Sequence, residues 1–372
     1  MAALASAFVR AAAPLALILV VPPAAAETLR DWKCTGEAGV PWDEQIAGCT
    51  NALKSGRFVG AAAAAGLSNR GNAYQAKGDL DGALADYSQA IQVDPTYVNA
   101  RFNRGNAYKA KGDLARAIAD YNEVVELDPK FATAYNNRAN AYQARGDLAH
   151  AIADYNQAIQ LDPKYVFAYN NRGNAYYARG DLDRAIADYD QAIGLDPKYA
   201  IAYDNRGNAH KAKGDIDRAL ADYDRSIELD PKNAATYNNR GNVYYARSDL
   251  DRALADYDQA IRLDPKYATA YDNRGNAYKA KGDVDRAIAD FGEAIRLDPK
   301  KATAYNNRGI AYKASGDLDR AIADFDEAIR LDPKYATAYN NRGNAYKAKG
   351  DVDRASADYG EATRLDPKNA GH

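Results

Sequence analysis

Three histidines, two cysteines and a recurring pair of aspartates are the residues of this chain whose types and spacing could support chemistry. Ser-His-Asp or Cys-His catalysis needs a base held beside a nucleophile. His150 stands at a position that is arginine in seven other units, His210 at one that is elsewhere tyrosine, and His372 is the last residue, so no base is placed. The aspartate pairs, such as Asp181 and Asp183, open apolar stretches, where they suit helix caps and the positive end of the helix dipole. They lack the glycine and terminal glutamate of a calcium loop. Cys34 and Cys49 lie fifteen apart with no histidine nearby, which leaves a zinc site short of ligands and does not match the C-x-x-C spacing of a redox pair. The reading left to them is a structural disulfide, worth up to ~3 kcal/mol in chain-entropy terms. No metal or cofactor is expected, and no enzyme.

A disulfide needs an oxidising compartment, and the N-terminus offers a route to one. Arg10 carries a positive charge, Ala11 to Val21 is apolar, and Ala24 and Ala26 form a small-x-small cleavage signal, the pattern of a secretory leader over residues 1–26. The apolar run is shorter than the about 20 residues of a membrane span, which disfavours an uncleaved anchor. The mature chain is therefore expected to be exported, periplasmic or secreted, and not membrane-spanning. With 49 basic and 51 acidic side chains and a net charge of −2, it has no electrostatic footprint for nucleic acid or for an anionic membrane surface.

The elements that position these residues follow from proline and tyrosine. Pro95, Pro129, Pro163, Pro197, Pro231, Pro265, Pro299, Pro333 and Pro367 recur every 34 residues. Counting from Ala64 gives nine units: 64–97, 98–131, 132–165, 166–199, 200–233, 234–267, 268–301, 302–335 and 336–369, with a tail at 370–372. All 29 tyrosines fall on unit positions 4, 11, 12, 24 and 34. In Ala268–Lys301 the spacing of Tyr271, Gly275 and Tyr278 predicts one helix. Gly282 and Asp283 then supply a left-handed C-cap and an N-cap, Val284, Ala287, Ile288, Phe291, Ala294, Ile295 and Leu297 share a face of a second helix, and Asp298-Pro299 ends it. Neither helix buries its stripe alone, so the units must stack.

This pattern resembles the tetratricopeptide repeat family. The family's first large aromatic matches Tyr135, Tyr169 and Tyr271, its glycine Gly173 and Gly275, and the next aromatic Tyr176 and Tyr278; Ala185, Tyr189, Ala192 and Pro197 match the second helix. Leu67 and Arg101 replace the first aromatic, Ala139 the glycine and His210 a tyrosine. The resemblance implies an all-α fold, a right-handed superhelical solenoid of stacked antiparallel helix pairs.

Arginine at position 7 departs from the family in every unit. It falls inside the apolar stripe, where an unpaired charge is costly, and position 23 is aspartate throughout. Arg172 is expected to pair with Asp188 and Arg274 with Asp290, with snorkelling to water as the alternative. The raw ends of the stack look treated as well. Ser356 and Thr363 replace the Ile, Leu or Val of other units and read as a C-terminal cap. Residues 27–63 read as an N-terminal cap in which Gln45–Ser55 aligns with a second helix, with Trp32 and Trp42 covering apolar surface.

Position angles put positions 2, 5, 6, 9, 12 and 13 of the first helix on one face, expected to line a concave groove. Position 6 supplies Asn69, Asn103, Asn137, Asn171, Asn205, Asn239, Asn273, Asn307 and Asn341. Position 9 supplies Asn72, Asn106, Asn140, Asn174, Asn208, Asn242, Asn276 and Asn344, with Ile310 the exception. Position 12 adds Lys109, Lys211, Lys279, Lys313 and Lys347, broken by Tyr177 and Tyr245. Amides that donate and accept suit the backbone of an extended peptide, as in the asparagine ladders of related glycosyltransferase arms. The basic half of the related chaperone-tail clamp is missing, which disfavours a terminal dicarboxylate ligand. The expectation is a non-catalytic scaffold or adaptor of the cell envelope binding protein or peptide partners. The alternatives are a structural spacer, an assembly or secretion accessory, or a non-catalytic peptide-binding subunit of a glycosyltransferase or cell-wall enzyme.

Overall fold

The computed structural model describes residues 29–35 and 39–367; residues 1–26, expected to be a leader, and the tail at 370–372 fall outside them. The helices group into two bodies divided between Pro197 and Lys198. In the first, α1 (Trp42–Lys54) precedes four pairs: α2 (Gly60–Ala76) with α3 (Leu80–Val93), α4 (Val98–Ala110) with α5 (Leu114–Leu127), α6 (Ala132–Ala144) with α7 (Leu148–Leu161), and α8 (Val166–Ala178) with α9 (Leu182–Leu195). The second holds five: α10 (Ala200–Lys213) with α11 (Ile216–Leu229), α12 (Ala234–Ala246) with α13 (Leu250–Leu263), α14 (Ala268–Ala280) with α15 (Val284–Leu297), α16 (Ala302–Ala314) with α17 (Leu318–Leu331), and α18 (Ala336–Ala348) with α19 (Val352–Leu365). Within each body every helix packs on the next. The fold is all-α, and the described residues contain no strand.

Local chemistry sets the boundaries. The first helix of unit 7 ends where Gly282 takes φ +82° and the Asp283 N–H bonds the Tyr278 carbonyl at 2.9 Å. Asp283 then caps α15 by accepting from the Arg286 backbone N–H at 3.2 Å. The same pattern recurs in the other units, but at the turn of unit 6 Ser248 replaces glycine and is held at φ +60°, a region that disfavours a side chain.

The core is built on position 24. Tyr87, Tyr121, Tyr155, Tyr189, Tyr223, Tyr257, Phe291 and Phe325 are at most 1% exposed, each burial worth about 1.5–3 kcal/mol. The ring presses on glycine at position 8: a Cβ on Gly71, Gly173 or Gly309 would meet it at 2.6–2.7 Å. Fully buried alanines such as Ala294 and Ala304 let one unit's second helix close on the next unit's first.

At the N-terminal end Cys34 and Cys49 are joined in a disulfide, and Gly48 lets the Trp32 carbonyl oxygen approach to a point 1.9 Å from where a Cβ would stand. Trp32 packs half-buried on this cluster, whereas Trp42 is 43% exposed and does not cover it. The first unit also differs from the sequence reading: α2 starts at Gly60, four residues before Ala64. At the other end Ser356 and Thr363 are exposed, while Ile261 and Ile295, at the position of Thr363, are buried.

Candidate functional site

Position 7 of each first helix carries the arginine that decides how this face is held. Arg172 Nη2 and Nε donate to both oxygens of Asp188 at 2.6 and 2.8 Å, and Arg274 grips Asp290 at 2.7 and 2.8 Å. In five units the guanidinium lies near the rings at both positions 4 and 11, Arg172 at 5.6 Å from Tyr169 and 5.9 Å from Tyr176. Burial pushes the carboxyls of Asp188 and Asp290 above the ordinary range, against the opposing hydrogen bonds from arginine. The third nitrogen, Nη1, reaches back to position 25 of the preceding second helix: Asn156 from Arg172 and Asp258 from Arg274, both at 2.6 Å. The arginine is therefore also a fastener between units, which sequence reading missed because position 25 varies among Ser, Asn, Asp and Gly. The α1 helix joins the same system, with Thr50 accepting from Arg70 at 3.1 Å and Asp43 pairing with Lys77. Gly292 breaks it, leaving Arg308 Nη1 3.7 Å from the site of a Cβ at 292.

The asparagines are committed to the fold more deeply than their sequence positions imply. Tyr121 donates its hydroxyl to Asn106 Oδ1 at 2.7 Å, and the bond recurs from Tyr155 to Asn140, Tyr189 to Asn174, Tyr257 to Asn242 and Tyr359 to Asn344. Position 9 thus satisfies a buried phenol. Ile310 is explained by its partner, since Phe325 has no hydroxyl to satisfy.

Position 6 donates backward along the stack. Asn103 Nδ2 reaches Asn72 at 3.0 Å and Asn137 reaches Asn106 at 2.9 Å. Asn171, Asn273 and Asn341 reach Asn136, Asn238 and Asn306 at position 5 of the unit before, while Asn239 and Asn307 reach Asp204 and Asp272. Two expectations are corrected. Position 5 is not on the open face, because Asn136, Asn238 and Asn306 are buried as acceptors between first helices, and Asn170 is buried and donates to Asn171 at 3.4 Å. Asn69 is 2% exposed and donates to the Cys34 carbonyl at 2.7 Å, so it lines the cap junction.

What remains open on the face is specific. The amide NH2 groups of Asn106, Asn140, Asn174, Asn242 and Asn344 hold no acceptor among the described residues, and none is sealed from solvent. Their oxygens are held by tyrosine, so these amides present donors rather than the mixed character expected of them; Asn208 instead donates to Asp204 at 3.2 Å, and Asn276 to the Asp272 carbonyl at 3.0 Å. Beside them stand half-buried Tyr177, exposed Tyr245 and the position-12 lysines. Burial pulls the ammonium pKa of Lys109, Lys211 and Lys279 below the usual lysine range. His150 is exposed and bonds Asp147 at 2.8 Å, and His210 is buried 3.8 Å from Asp222. Among the described residues no group of three or more His, Cys, Asp or Glu could hold a metal ion, and no helix is long and apolar enough to cross a membrane.

Family comparison bears on the stack as a whole. The family model described as TPR repeat matches residues 71–112, 105–146, 139–179, 173–214, 207–248, 241–282, 275–316 and 311–350, and the one described as Tetratricopeptide repeat matches 336–369. The chain belongs to the tetratricopeptide repeat family. No curated protein matches it in sequence. Among solved structures, this tetratricopeptide repeat chain is similar to a tetratricopeptide repeat protein of Parabacteroides merdae, at 23% identity and TM-score 0.55, covering 66% of this chain and 97% of that one. It is also similar to Cut9–Hcn1 of the APC/C, at 14% identity and TM-score 0.55, covering 93% and 86%. YrrB, described as a TPR protein with an unusual peptide-binding site, is 26% identical at TM-score 0.42, over 49% of this chain and 93% of that one. The Parabacteroides and Cut9–Hcn1 likenesses show the fold, and the family makes the chain a protein-interaction scaffold.

Proposed function

We propose that this scaffold holds extended peptide segments of exported or envelope proteins on its first-helix face, acting without catalysis in the compartment reached through the 1–26 leader. The observation that supports this is the set of consecutive position-9 amides of Asn106, Asn140 and Asn174 in the first body, an arrangement repeated singly at Asn242 and Asn344 in the second. A tyrosine hydroxyl fixes each oxygen inward and so fixes the direction of the NH2, which makes a preorganised line of donors. Extended peptides expose backbone carbonyls at regular intervals, and donors held in advance lose little freedom on binding them. Tyr177 and Tyr245 add aromatic surface beside that line.

The test follows from the same geometry. Asn106→Asp, Asn140→Asp and Asn174→Asp together keep the oxygen that accepts from tyrosine and turn each outward donor into a charged acceptor that repels a peptide carbonyl. Affinity capture from envelope extract is expected to lose partners with this variant while its helical circular dichroism stays unchanged. Identical partner lists would favour a structural spacer, and so would an empty list for the unmodified chain.

A further inference from the structure

Every arginine of the second body except Arg262, which bonds Gln259, is paired with a carboxylate, whereas among the described residues the loop lysines Lys232, Lys266, Lys300 and Lys334 and the position-12 lysines form no such pair. Position 7 pairs with position 23 from Arg206 to Arg342, and position 19 pairs with its N-cap aspartate from Arg218 to Arg354. At position 14, Arg247, Lys281 and Lys349 bridge to Asp217, Asp251 and Asp319 of the preceding unit. Lys279, Lys313 and Lys347 hold no carboxylate among the described residues. They occupy the same position on α14, α16 and α18, three first helices that touch in sequence. Acid on this side thins toward the C-terminal end as well. Asp272 lies beneath Lys279 but is held by Lys301 at 3.0 Å, and the matching residues in the next two units are Asn306 and Asn340. The face of units 7 to 9 is therefore a line of one lysine per unit with threonines and amides between them, inside a chain whose net charge is −2.

The spacing of that line selects a ligand conformation. Packed helices stand about 8–10 Å apart. A β-strand advances about 10 Å in three residues but turns its side chains to alternate faces, so every third residue does not face the same way. A polyproline II segment repeats every three residues and rises about 9.3 Å in that interval, presenting every third side chain to successive helices. We propose that α14, α16 and α18 hold an acidic peptide segment in polyproline II conformation, with carboxylates at every third residue meeting Lys279, Lys313 and Lys347. This rests on the peptide-binding reading and gives it a ligand chemistry. A single-stranded nucleic acid would offer anions too, but position 12 carries lysine rather than an aromatic ring in all three helices, which leaves bases no stacking platform in the row and favours the peptide.

Fluorescence anisotropy with the full chain tests it, using a labelled peptide of Glu-Pro-Ala triplets, the same peptide with Gln for Glu, and oligothymidylate. The glutamate peptide is expected to bind, to weaken as salt rises, and to lose about thirty-fold in affinity with Lys279→Gln, Lys313→Gln and Lys347→Gln combined, roughly three-fold for each lysine. A control carrying Lys266→Gln, Lys300→Gln and Lys334→Gln on the inter-unit loops removes equal charge and is expected to change affinity by about two-fold or less. Equal binding of the glutamine peptide overturns the charge inference while leaving the peptide face intact, and failure of both peptides overturns the inference outright. Tighter binding of oligothymidylate, or an equal loss with the loop control, also overturns it.

Discussion

Gly292→Asp restores the one missing contact in the arginine system of the second body and measures what that contact contributes. In Arg240, Arg274 and Arg342, Nη1 meets Asp224, Asp258 and Asp326 at 2.6 Å. Those aspartate side chains are 39–52% exposed, so each bond belongs with partly solvated ion pairs worth about 0.2–1 kcal/mol. Replacing a mid-helix glycine by aspartate adds about 0.3 kcal/mol of helix propensity. The expected gain is therefore about 0.5–1.3 kcal/mol in urea unfolding. Gly360→Asp supplies the control: Gly360 stands at the same unit position and is likewise followed by Glu-Ala, but among the described residues nothing lies within 4 Å of where its Cβ would stand. It should gain the propensity term alone. Equal gains at the two sites would refute the role of Nη1 as an inter-unit fastener.

Three further outcomes follow from the units that depart from their neighbours. Ser248→Gly should raise stability by about 0.5–1 kcal/mol, because it removes a left-handed non-glycine residue; thermal unfolding reads the change. Phe291→Tyr places a hydroxyl opposite Asn276 and should be near neutral, whereas Phe325→Tyr places one opposite Ile310 and should cost about 1–3 kcal/mol as a buried donor without an acceptor. Asp204→Asn should stabilise the chain near neutral pH. Desolvation raises the Asp204 carboxyl, with hydrogen bonds from Asn239 and Asn208 and the charge of Lys211 opposing it. A raised folded-state value means that protonation favours the fold and that this benefit is lost as pH rises through it. The advantage of the amide variant should therefore shrink as pH falls into the carboxylate range, and an unchanged difference in urea titrations across pH would contradict the assignment.

The repeat, the helix boundaries and the Arg172–Asp188 geometry were legible in the sequence because each depends on residues within one unit at a constant spacing. Asn140 and Asn174 were placed on the right helix face, but what their amides do was not legible. Helix angles give direction and say nothing of the tyrosine sixteen or so residues away whose hydroxyl claims the oxygen. Asn136 and Asn238 were misjudged for a related reason. The open side of an isolated helix becomes buried when the next unit's first helix packs against it, so stacking removed from the surface a position that period alone assigned to it. Asn69 failed at the chain end, where the segment through Cys34 replaces a neighbouring helix. The fastening of Arg274 to Asp258 was hidden by variation at position 25, where serine, asparagine and aspartate all serve as acceptors.

The central claim is that partners lie along the first helices. Photo-crosslinking in the producing cell tests it most directly, with a photoreactive phenylalanine placed at Tyr177 and Tyr245 and, for comparison, at Leu195 and Val352 at the ends of second helices. Both pairs include exposed or half-buried side chains, so access does not separate them. Partner adducts from positions 177 and 245, with few or none from 195 and 352, are the predicted result. Equal adducts from both pairs, or adducts from the second helices alone, would contradict the account.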